Sequence, residues 1–248
     1  MFWSNQRYTL LITSRLITFV SKGELQQMIR AAIFDLDELI IDLEKIHKAA
    51  ERQICSDYGH SFDSLSEGLR FKSSGLREND ILERIKQELE LPAPLSEMIL
   101  RKQALFADMM IDEILQPMPG VFETINSLQA HGFGLALTSS GSRPRVEMVL
   151  ERLGLLDSFD ITVCGEDVRH GKPNPEPYRL TAERLKISPL EGVVFEDADV
   201  GVQSAKAAGL WCIGVPNTAA ATRQTLYDAD LVLPDLTHFT LDLLERFR

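Results

Sequence analysis

Cysteine is scarce in this chain, which has only Cys55, Cys164 and Cys212 among its 248 residues. These three form no CxxC pair, and their odd number suggests neither a disulfide framework nor a zinc site. Cys164 and Cys212 lie in apolar, strand-like runs, where a free thiol acts as a small core residue. We therefore predict a protein of a reducing, cytoplasmic setting.

Basic residues are in deficit, with 26 Lys and Arg against 37 Asp and Glu and a net charge of -11. Nucleic-acid-binding domains need a basic face, so this balance argues against that class of partner. The same field repels phosphorylated molecules at long range, so any anion site has to be locally positive. No apolar run approaches the roughly 18 to 20 residues of a membrane span. We expect a monomer with neither nucleic acid nor a membrane as its partner.

Acidic residues are missing from the first 23 positions, where Arg7, Arg15 and Lys22 interrupt the apolar stretches. Transit-type leaders share this Arg- and Ser-bearing, acid-poor composition, so such a leader is one interpretation. The favoured interpretation is an N-terminal extension over residues 1–27, disordered or loosely docked, ahead of a domain that begins near Met28.

Strand-like apolar runs alternate with helical patterns from residue 116 onward. This alternation predicts right-handed βαβ units in a parallel sheet. Residues 45–115, in contrast, carry only helical patterns. We predict an α/β protein with a Rossmann-like parallel sheet core, formed by residues 28–44 and 116–248, and an inserted all-helical cap domain over residues 45–115. Strands are expected at 31–35, 133–138, 161–164, 193–196, 210–215 and 231–233.

Four short polar clusters each follow one of these strand-like runs. Ligands of an open parallel sheet bind at the carboxyl ends of its strands, so clusters far apart in sequence can share one pocket. Such a pocket combines carboxylates, hydroxyls and an ammonium group, which suits metal-assisted phosphoryl chemistry. The clusters are Asp35 with Asp37, Ser139 with Ser140, Lys172, and Glu196 with Asp197.

Carboxylates gathered in one pocket need a cation. Two like charges 4 Å apart repel by about 4 kcal/mol at an effective dielectric of about 20. Oxygen-only ligands favour a hard ion such as Mg²⁺. Each cluster also has a structural interpretation: Asp35 and Asp37 as a solvated turn, the Ser-rich stretch as a helix cap, Lys172 as an exposed lysine. Their placement at the ends of separate strands favours the functional interpretation.

The four clusters resemble, in order and spacing, the four motifs of the haloacid dehalogenase superfamily. The resemblance extends from about Met28 to Leu233, and residues further along resemble the β-phosphoglucomutase-like phosphatase branch, as do Asp42, Glu44 and His47. The motifs are Phe34-Asp35-Leu36-Asp37, Leu137-Thr138-Ser139-Ser140, Gly171-Lys172-Pro173 and Phe195-Glu196-Asp197, and the later matches are Gly201, Ala205-Lys206-Ala207-Ala208-Gly209 and Gly214-Val215-Pro216-Asn217.

This resemblance implies a Mg²⁺-dependent phosphatase that hydrolyses a small phosphate monoester, a phosphosugar, through an aspartyl-phosphate intermediate. Asp35 would be the nucleophile, and Asp37 the general acid toward the leaving oxygen and then the base that activates water. Ser139, Ser140 and Lys172 would hold the transferring phosphoryl group. The Mg²⁺ ligands would come from Asp35, the main-chain carbonyl of Asp37, Glu196 and Asp197.

The first motif departs from the branch at Glu38, where Gly is usual. This departure leaves open a second class of function, a catalytically silent binding module on the same fold. A phosphosugar mutase that uses the same aspartyl phosphate is the other alternative. A mutase has to recognise a second phosphate strongly, and no motif marks Lys72, Arg77 or Arg101 for that role. The cap residues that we expect to meet the substrate are Glu44, His47, Lys72 and Arg77.

Overall fold

A parallel sheet forms the centre of the computed structural model, which describes residues 8–13, 16–21, 28–71, 75–217 and 226–247. The strands in chain order are β1 (Tyr8–Thr13), β2 (Leu16–Ser21), β3 (Ala31–Phe34), β4 (Gly134–Thr138), β5 (Ile161–Val163), β6 (Gly192–Glu196), β7 (Trp211–Gly214) and β8 (Leu231–Val232). Six of them pair in parallel in the order β5-β4-β3-β6-β7-β8. The predicted α/β fold with a Rossmann-like parallel sheet is confirmed.

The central strand β3 is apolar on both faces because the sheet is covered on both sides. All four of its residues are buried, and alternate side chains point to opposite faces. Phe34 stacks on Phe195 with 4.7 Å between ring centroids. Ile33 belongs to a different apolar cluster, together with Tyr178. The strand that carries Asp35 at its end is therefore held from both sides.

The first four of the five described α-helices between β3 and β4 form the helical insert: α1 (Glu44–Asp57), α2 (Glu67–Phe71), α3 (Glu78–Glu88) and α4 (Leu95–Met110). They enclose an apolar cluster of their own, which includes Ile54, Leu82 and Met98. The described residues of 45–115 contain no strand, as the sequence pattern indicates. An inserted cap requires an apolar core of its own, and this cluster supplies one. The boundaries of the two domains stay predictions.

The remaining helices connect the strands of the sheet. They are α5 (Val121–Ala130), α6 (Arg143–Leu153), α7 (Glu176–Leu185) and α8 (Asp199–Ala207). Helices α6, α7 and α8 follow β4, β5 and β6, so their N-termini lie toward the carboxyl edge of the sheet. Pro144 stands in the first turn of α6, where its missing N–H costs nothing, and Gly154 ends that helix at φ 70°.

Two chain segments join the helical insert to the sheet, and they contact each other. Ile41 forms a parallel bridge with Asp37 and an antiparallel one with Pro117. The N–H of Met118 donates to the carbonyl of Ile40 at 2.8 Å. Because these bridges begin beside Asp37, the insert is anchored next to the carboxyl end of β3.

The extension over residues 1–27 contributes the backbone of a hairpin, in which β1 and β2 pair antiparallel. The sequence pattern did not predict this pairing. The other residues of the extension lie outside the described part of the chain, so the expectation for 1–27 stays a prediction. None of the described helices is long and apolar enough to cross a membrane. All three cysteines are free thiols and buried.

Truncation of Phe34 tests how strongly the central strand is held. Phe34→Ala removes a fully buried ring, and we expect it to lower the free energy of unfolding by about 3 to 5 kcal/mol. Phe122→Ala is the matched control, because Phe122 in α5 is 37% exposed and should change stability by about 1 kcal/mol or less. Urea unfolding measures both. Equal losses for the two variants would contradict this description of the core.

Candidate active site

The carboxyl ends of β4, β3 and β6 lie side by side, and three of the four predicted clusters stand there. Asp35 follows β3, and its N–H donates to the carbonyl of Phe195 at 3.1 Å. Ser139 follows β4, and its N–H donates to Val163 at 2.9 Å. Glu196 is the last residue of β6. The strand order thus brings together residues more than 160 positions apart in sequence.

Lys172 reaches this edge from the loop between β5 and α7, where its peptide bond to Pro173 is cis. The Lys172 Nζ lies 2.5 Å from Asp35 Oδ1 and 2.5 Å from Glu196 Oε1. The side chain is 1% exposed. Burial alone would lower the pKa of Lys172, but the two carboxylates outweigh it and hold the pKa above its ordinary value. Lys172 is therefore a buried ammonium between two carboxylates.

Asp35, Glu196 and Asp197 offer carboxylate oxygens that all lie within 4.8 Å of one another. Burial, helped by the charges of Glu196 and Asp37, raises the pKa of Asp35 to about 7 against the attraction of Lys172. Burial and the charge of Glu196 also raise the pKa of Asp197 well above its ordinary value. One lysine does not offset this buried negative charge, and a divalent cation with oxygen ligands does. The donor set fits such an ion.

Lys172, Tyr178 and Ala198 hold the Glu196 carboxylate. The hydroxyl of Tyr178 donates to Glu196 Oε1 at 2.5 Å, and the N–H of Ala198 donates to Oε2 at 3.3 Å. A Cβ on Gly201 would collide with this carboxylate, so only glycine fits there. Glu196 is completely buried. It therefore orients Lys172 in addition to its place in the carboxylate cluster.

Asp37 is bound by a guanidinium rather than by Lys172. Arg145 Nη1 donates to Asp37 Oδ1 and Nη2 donates to Oδ2, each at 2.7 Å. The Nε2 atom of His47 lies 3.7 Å from Asp37 Oδ1. Burial alone would raise the pKa of Asp37, but the charge and hydrogen bonds of Arg145 hold it well below its usual range. In this arrangement Asp37 is a carboxylate.

The helical insert supplies the other wall beside Asp37. His47 from α1 stacks on Phe106 from α4, with 4.8 Å between ring centroids. The Arg145 guanidinium lies 5.6 Å from the centre of the same Phe106 ring. Burial, with the nearby charge of Arg145, lowers the pKa of His47 despite the nearby carboxylate of Asp37. A neutral imidazole from the insert thus faces Asp37.

The remaining predicted site residues are Ser140, Arg77, Glu44 and Lys72. The hydroxyl of Ser140 donates to the carbonyl of Gly75 at 2.8 Å, a contact between the sheet edge and the insert. Arg77 forms a two-point ion pair with Asp80 and donates to the carbonyl of Arg169 at 3.0 Å. Glu44 is half-buried in the first turn of α1. Lys72 lies outside the described residues.

Glu38 adopts a conformation that explains why glycine is usual at its position. Its φ is 65°, in the left-handed region, which costs a residue with a side chain roughly 1–2 kcal/mol. The amide of Asn217 donates to Glu38 Oε2 at 2.5 Å and holds the side chain inward. Burial, with the charges of Asp42 and Asp37, raises the pKa of Glu38 to about 8. Glu38 thus adopts the left-handed turn after β3 that glycine would adopt, and its carboxyl group faces Asn217.

Arg145, Tyr178 and Phe106 are site residues that the sequence pattern did not reveal. One signal was available for Arg145. The first turn of α6 contains Arg143 and Arg145 and no acidic residue, although a helix N-terminus disfavours cations. Tyr178 and Phe106 are aromatic residues at apolar positions of helices, which is typical of ordinary core residues.

The family of haloacid dehalogenase-like hydrolases matches this chain over residues 32–215, a span that contains all four motifs. The chain belongs to this family. The resemblance drawn from the four motifs is therefore confirmed.

Two relatives are phosphatases. The chain is 34% identical to the phosphorylated carbohydrates phosphatase of Thermotoga maritima over 184 residues. The aligned part covers 73% of this chain and 82% of that protein. It is 33% identical to the fructose-1-phosphate phosphatase of Escherichia coli over 185 residues, and the aligned part covers 74% of this chain and 94% of that protein. The expectation of an enzyme of this hydrolase family is confirmed.

Solved structures show the same architecture. CbbY of Rhodobacter sphaeroides, solved in complex with phosphate, has a TM-score of 0.77 at 26% identity and covers 88% of this chain and 100% of its own. The β-phosphoglucomutase of Clostridium difficile has a TM-score of 0.77 at 24% identity and covers 89% of this chain and 97% of its own. The second likeness is one of fold alone.

Glu38 should make stability depend on pH. Its pKa is about 8 in the folded state against an ordinary 4.5, so between those values the folded protein keeps a proton that the unfolded chain has lost. The free energy of unfolding therefore falls as pH rises through this window. Glu38→Gln keeps an acceptor for Asn217 but does not titrate. We expect the fall from about pH 5 to pH 8 to shrink by on the order of a few kcal/mol in this variant.

Urea unfolding in EDTA at the two pH values measures this difference. Glu97→Gln, on the exposed surface of α4, is the control and should follow the wild type. The same pH dependence in Glu38→Gln as in the wild type would contradict the assignment.

Proposed function

We propose that this protein hydrolyses a phosphate monoester of a small sugar or related metabolite through an aspartyl phosphate on Asp35. The observation that carries the proposal is the contact of Lys172 Nζ with Asp35 Oδ1 at 2.5 Å inside a buried carboxylate cluster. A buried ammonium beside a buried carboxylate provides both a nucleophile and a partner for the phosphoryl charge.

The first step is phosphoryl transfer to the protein. A carboxylate oxygen of Asp35 attacks phosphorus, the bond from phosphorus to the leaving oxygen breaks, and that oxygen takes a proton from Asp37. Asp37 must therefore carry a proton when the substrate is bound. The negative phosphoryl group beside it favours protonation, against the pull of Arg145. Lys172 offsets the charge on the transferring group.

The second step returns the protein to its starting state. Water gives a proton to the Asp37 carboxylate and attacks phosphorus, the bond from phosphorus to Asp35 breaks, and inorganic phosphate leaves. The ion pair with Arg145 keeps Asp37 ionised, which is the form that accepts a proton here. Ser139, buried at the end of β4, is placed to donate a hydrogen bond to the phosphoryl group.

A divalent cation fits this site because the carboxylates outnumber the cations. Asp35, Asp197, Glu196 and the main-chain carbonyl of Asp37 would hold it, and Mg²⁺ would offset charge on the phosphoryl oxygens. Glu196 also contacts Lys172 and Tyr178, so it would orient the lysine as well as hold the ion.

Phosphorylated carbohydrates are the proposed substrates, because the relatives of highest identity given above act on them by name. A net charge of -11 disfavours large anionic partners such as nucleic acids. The three buried free thiols agree with a reducing, cytoplasmic setting. Hydrolysis is preferred to mutase chemistry because Arg77 is paired with Asp80 and Arg101 with Asp57, which leaves neither ready for a second phosphate.

A panel of hexose 1- and 6-phosphates tests the reaction. The wild type should release inorganic phosphate, and Asp35→Asn should release none, because an amide does not attack phosphorus. Asp37→Asn should lose about 10² to 10⁴-fold in turnover. Asp157→Asn, in an exposed turn, is the control and should be unchanged. Full activity of a folded Asp35→Asn protein would refute the nucleophile, and isomeric sugar phosphate without free phosphate would show a mutase.

Removal of divalent ions tests the cation site. EDTA should abolish phosphate release, and Mg²⁺ should restore it. Ca²⁺ should support it poorly, because calcium takes six to eight ligands at longer distances and would disturb in-line transfer. Turnover in EDTA equal to that in Mg²⁺ would contradict a metal-assisted reaction, as would full turnover in Ca²⁺ alone.

A further inference from the structure

Arg145 is a buried guanidinium to which neither half-reaction assigns a direct role. Its side chain is 9% exposed. It meets both carboxylate oxygens of Asp37 at 2.7 Å, and Nη1 also lies 3.4 Å from Nε2 of His47. Two parallel N–H to oxygen contacts fix the plane of a carboxylate, which a single hydrogen bond does not do.

The position of Arg145 is electrostatically unfavourable, so its ion pair with Asp37 has to offset the cost. A cation in the first turn of a helix opposes the helix dipole, and Arg145 is the third residue of α6. Burial adds a further cost for the charge. The loop before α6 is shaped to admit it, because a Cβ on Gly141 would collide with its guanidinium. The Phe106 ring covers it from the side of the insert.

We propose that Arg145 is the positioning residue for Asp37, holding its carboxylate in the orientation that both proton transfers require. The proposal rests on the proposed phosphatase function. The contacts also assign the oxygen that handles the proton. Oδ1 faces both Arg145 and His47, whereas Oδ2 has Arg145 as its one hydrogen-bond partner among the described residues. In the acid form Oδ2 carries the proton that goes to the leaving oxygen, and in the carboxylate form its remaining lone pair takes a proton from water.

Loss of this hold should slow the steps that move a proton and spare substrate binding. A displacement of about 1 Å costs roughly 10²-fold in rate, so Arg145→Ala should lower kcat by about that factor without raising KM. The first step should suffer least with p-nitrophenyl phosphate, because p-nitrophenolate is a weak base that departs without a proton. Phenyl phosphate has a similar shape and a far more basic leaving oxygen, so its first step should remain sensitive.

Stopped-flow and steady-state kinetics on these two esters, in Mg²⁺, test the proposal with the full chain. For Arg145→Ala we expect a burst of p-nitrophenol followed by slow turnover, no burst with phenyl phosphate, and partial recovery of kcat on addition of guanidinium ion. Arg145→Lys keeps the charge without the two-point contact and should recover little. Arg143→Ala is the matched control, because Arg143 is exposed on the same helical turn and pairs with Asp167.

Each other outcome overturns the proposal. Equal losses on both esters, with no burst and no recovery in guanidinium, would show a structural role. A raised KM at unchanged kcat would make Arg145 a substrate-binding residue, and unchanged kinetics would leave it no role in the reaction. Failure of the phosphatase function itself is distinguishable, because then the wild type would release no phosphate from either ester.

Discussion

The contact between Lys172 and the carboxylates of Asp35 and Glu196 is the interaction on which the rest of the site depends. Three carboxylates within 4.8 Å of one another are untenable in a buried position without positive charge. Lys172 supplies part of it, and the negative charge that remains suits a divalent cation. Burial, together with the charges of the neighbouring carboxylates, raises the pKa of Asp35 and of Asp197. The excess of buried carboxylates over lysine therefore accounts both for the arrangement of the site and for the cation in the proposed reaction.

The site contains a second, oppositely balanced carboxylate. Asp37 stands two residues from Asp35, yet its guanidinium partner holds its pKa low, whereas burial dominates at Asp35. Two neighbouring aspartates are thus given different properties by different cations, Lys172 from the sheet edge and Arg145 from a helix. The insert completes the arrangement, since His47 and Phe106 close over Asp37 and Arg145. In the proposed reaction, closure of this kind would keep water from competing for the phosphoryl group in the first step.

Much of this was predictable from sequence, and the rest was not, for physical reasons. Hydrophobic periodicity located the six strands of the parallel sheet because each is short, apolar and bounded by polar residues, and the four motifs located Asp35, Lys172 and Glu196. Arg145 was not identified: its place in the first turn of α6 was a local signal, but its partner Asp37 is 108 positions away, and no local pattern pairs residues over such a distance. Ser140 was expected to bind phosphate, but its hydroxyl bonds to Gly75, a contact that depends on how the insert docks. Glu38 differs from these residues, because it stood out in the sequence as a departure from the motif and the structure finds it in the left-handed conformation.

The covalent step at Asp35 is the central claim, and direct detection of the phosphorylated protein tests it most directly. Wild-type protein mixed with a rapidly hydrolysed phosphate ester and quenched in acid within one turnover can be reduced with borohydride, which converts an acyl phosphate of aspartate into homoserine. Peptide mass spectrometry should then find homoserine at position 35. Homoserine at another aspartate, or full substrate turnover with no acyl phosphate at any quench time, would contradict the account.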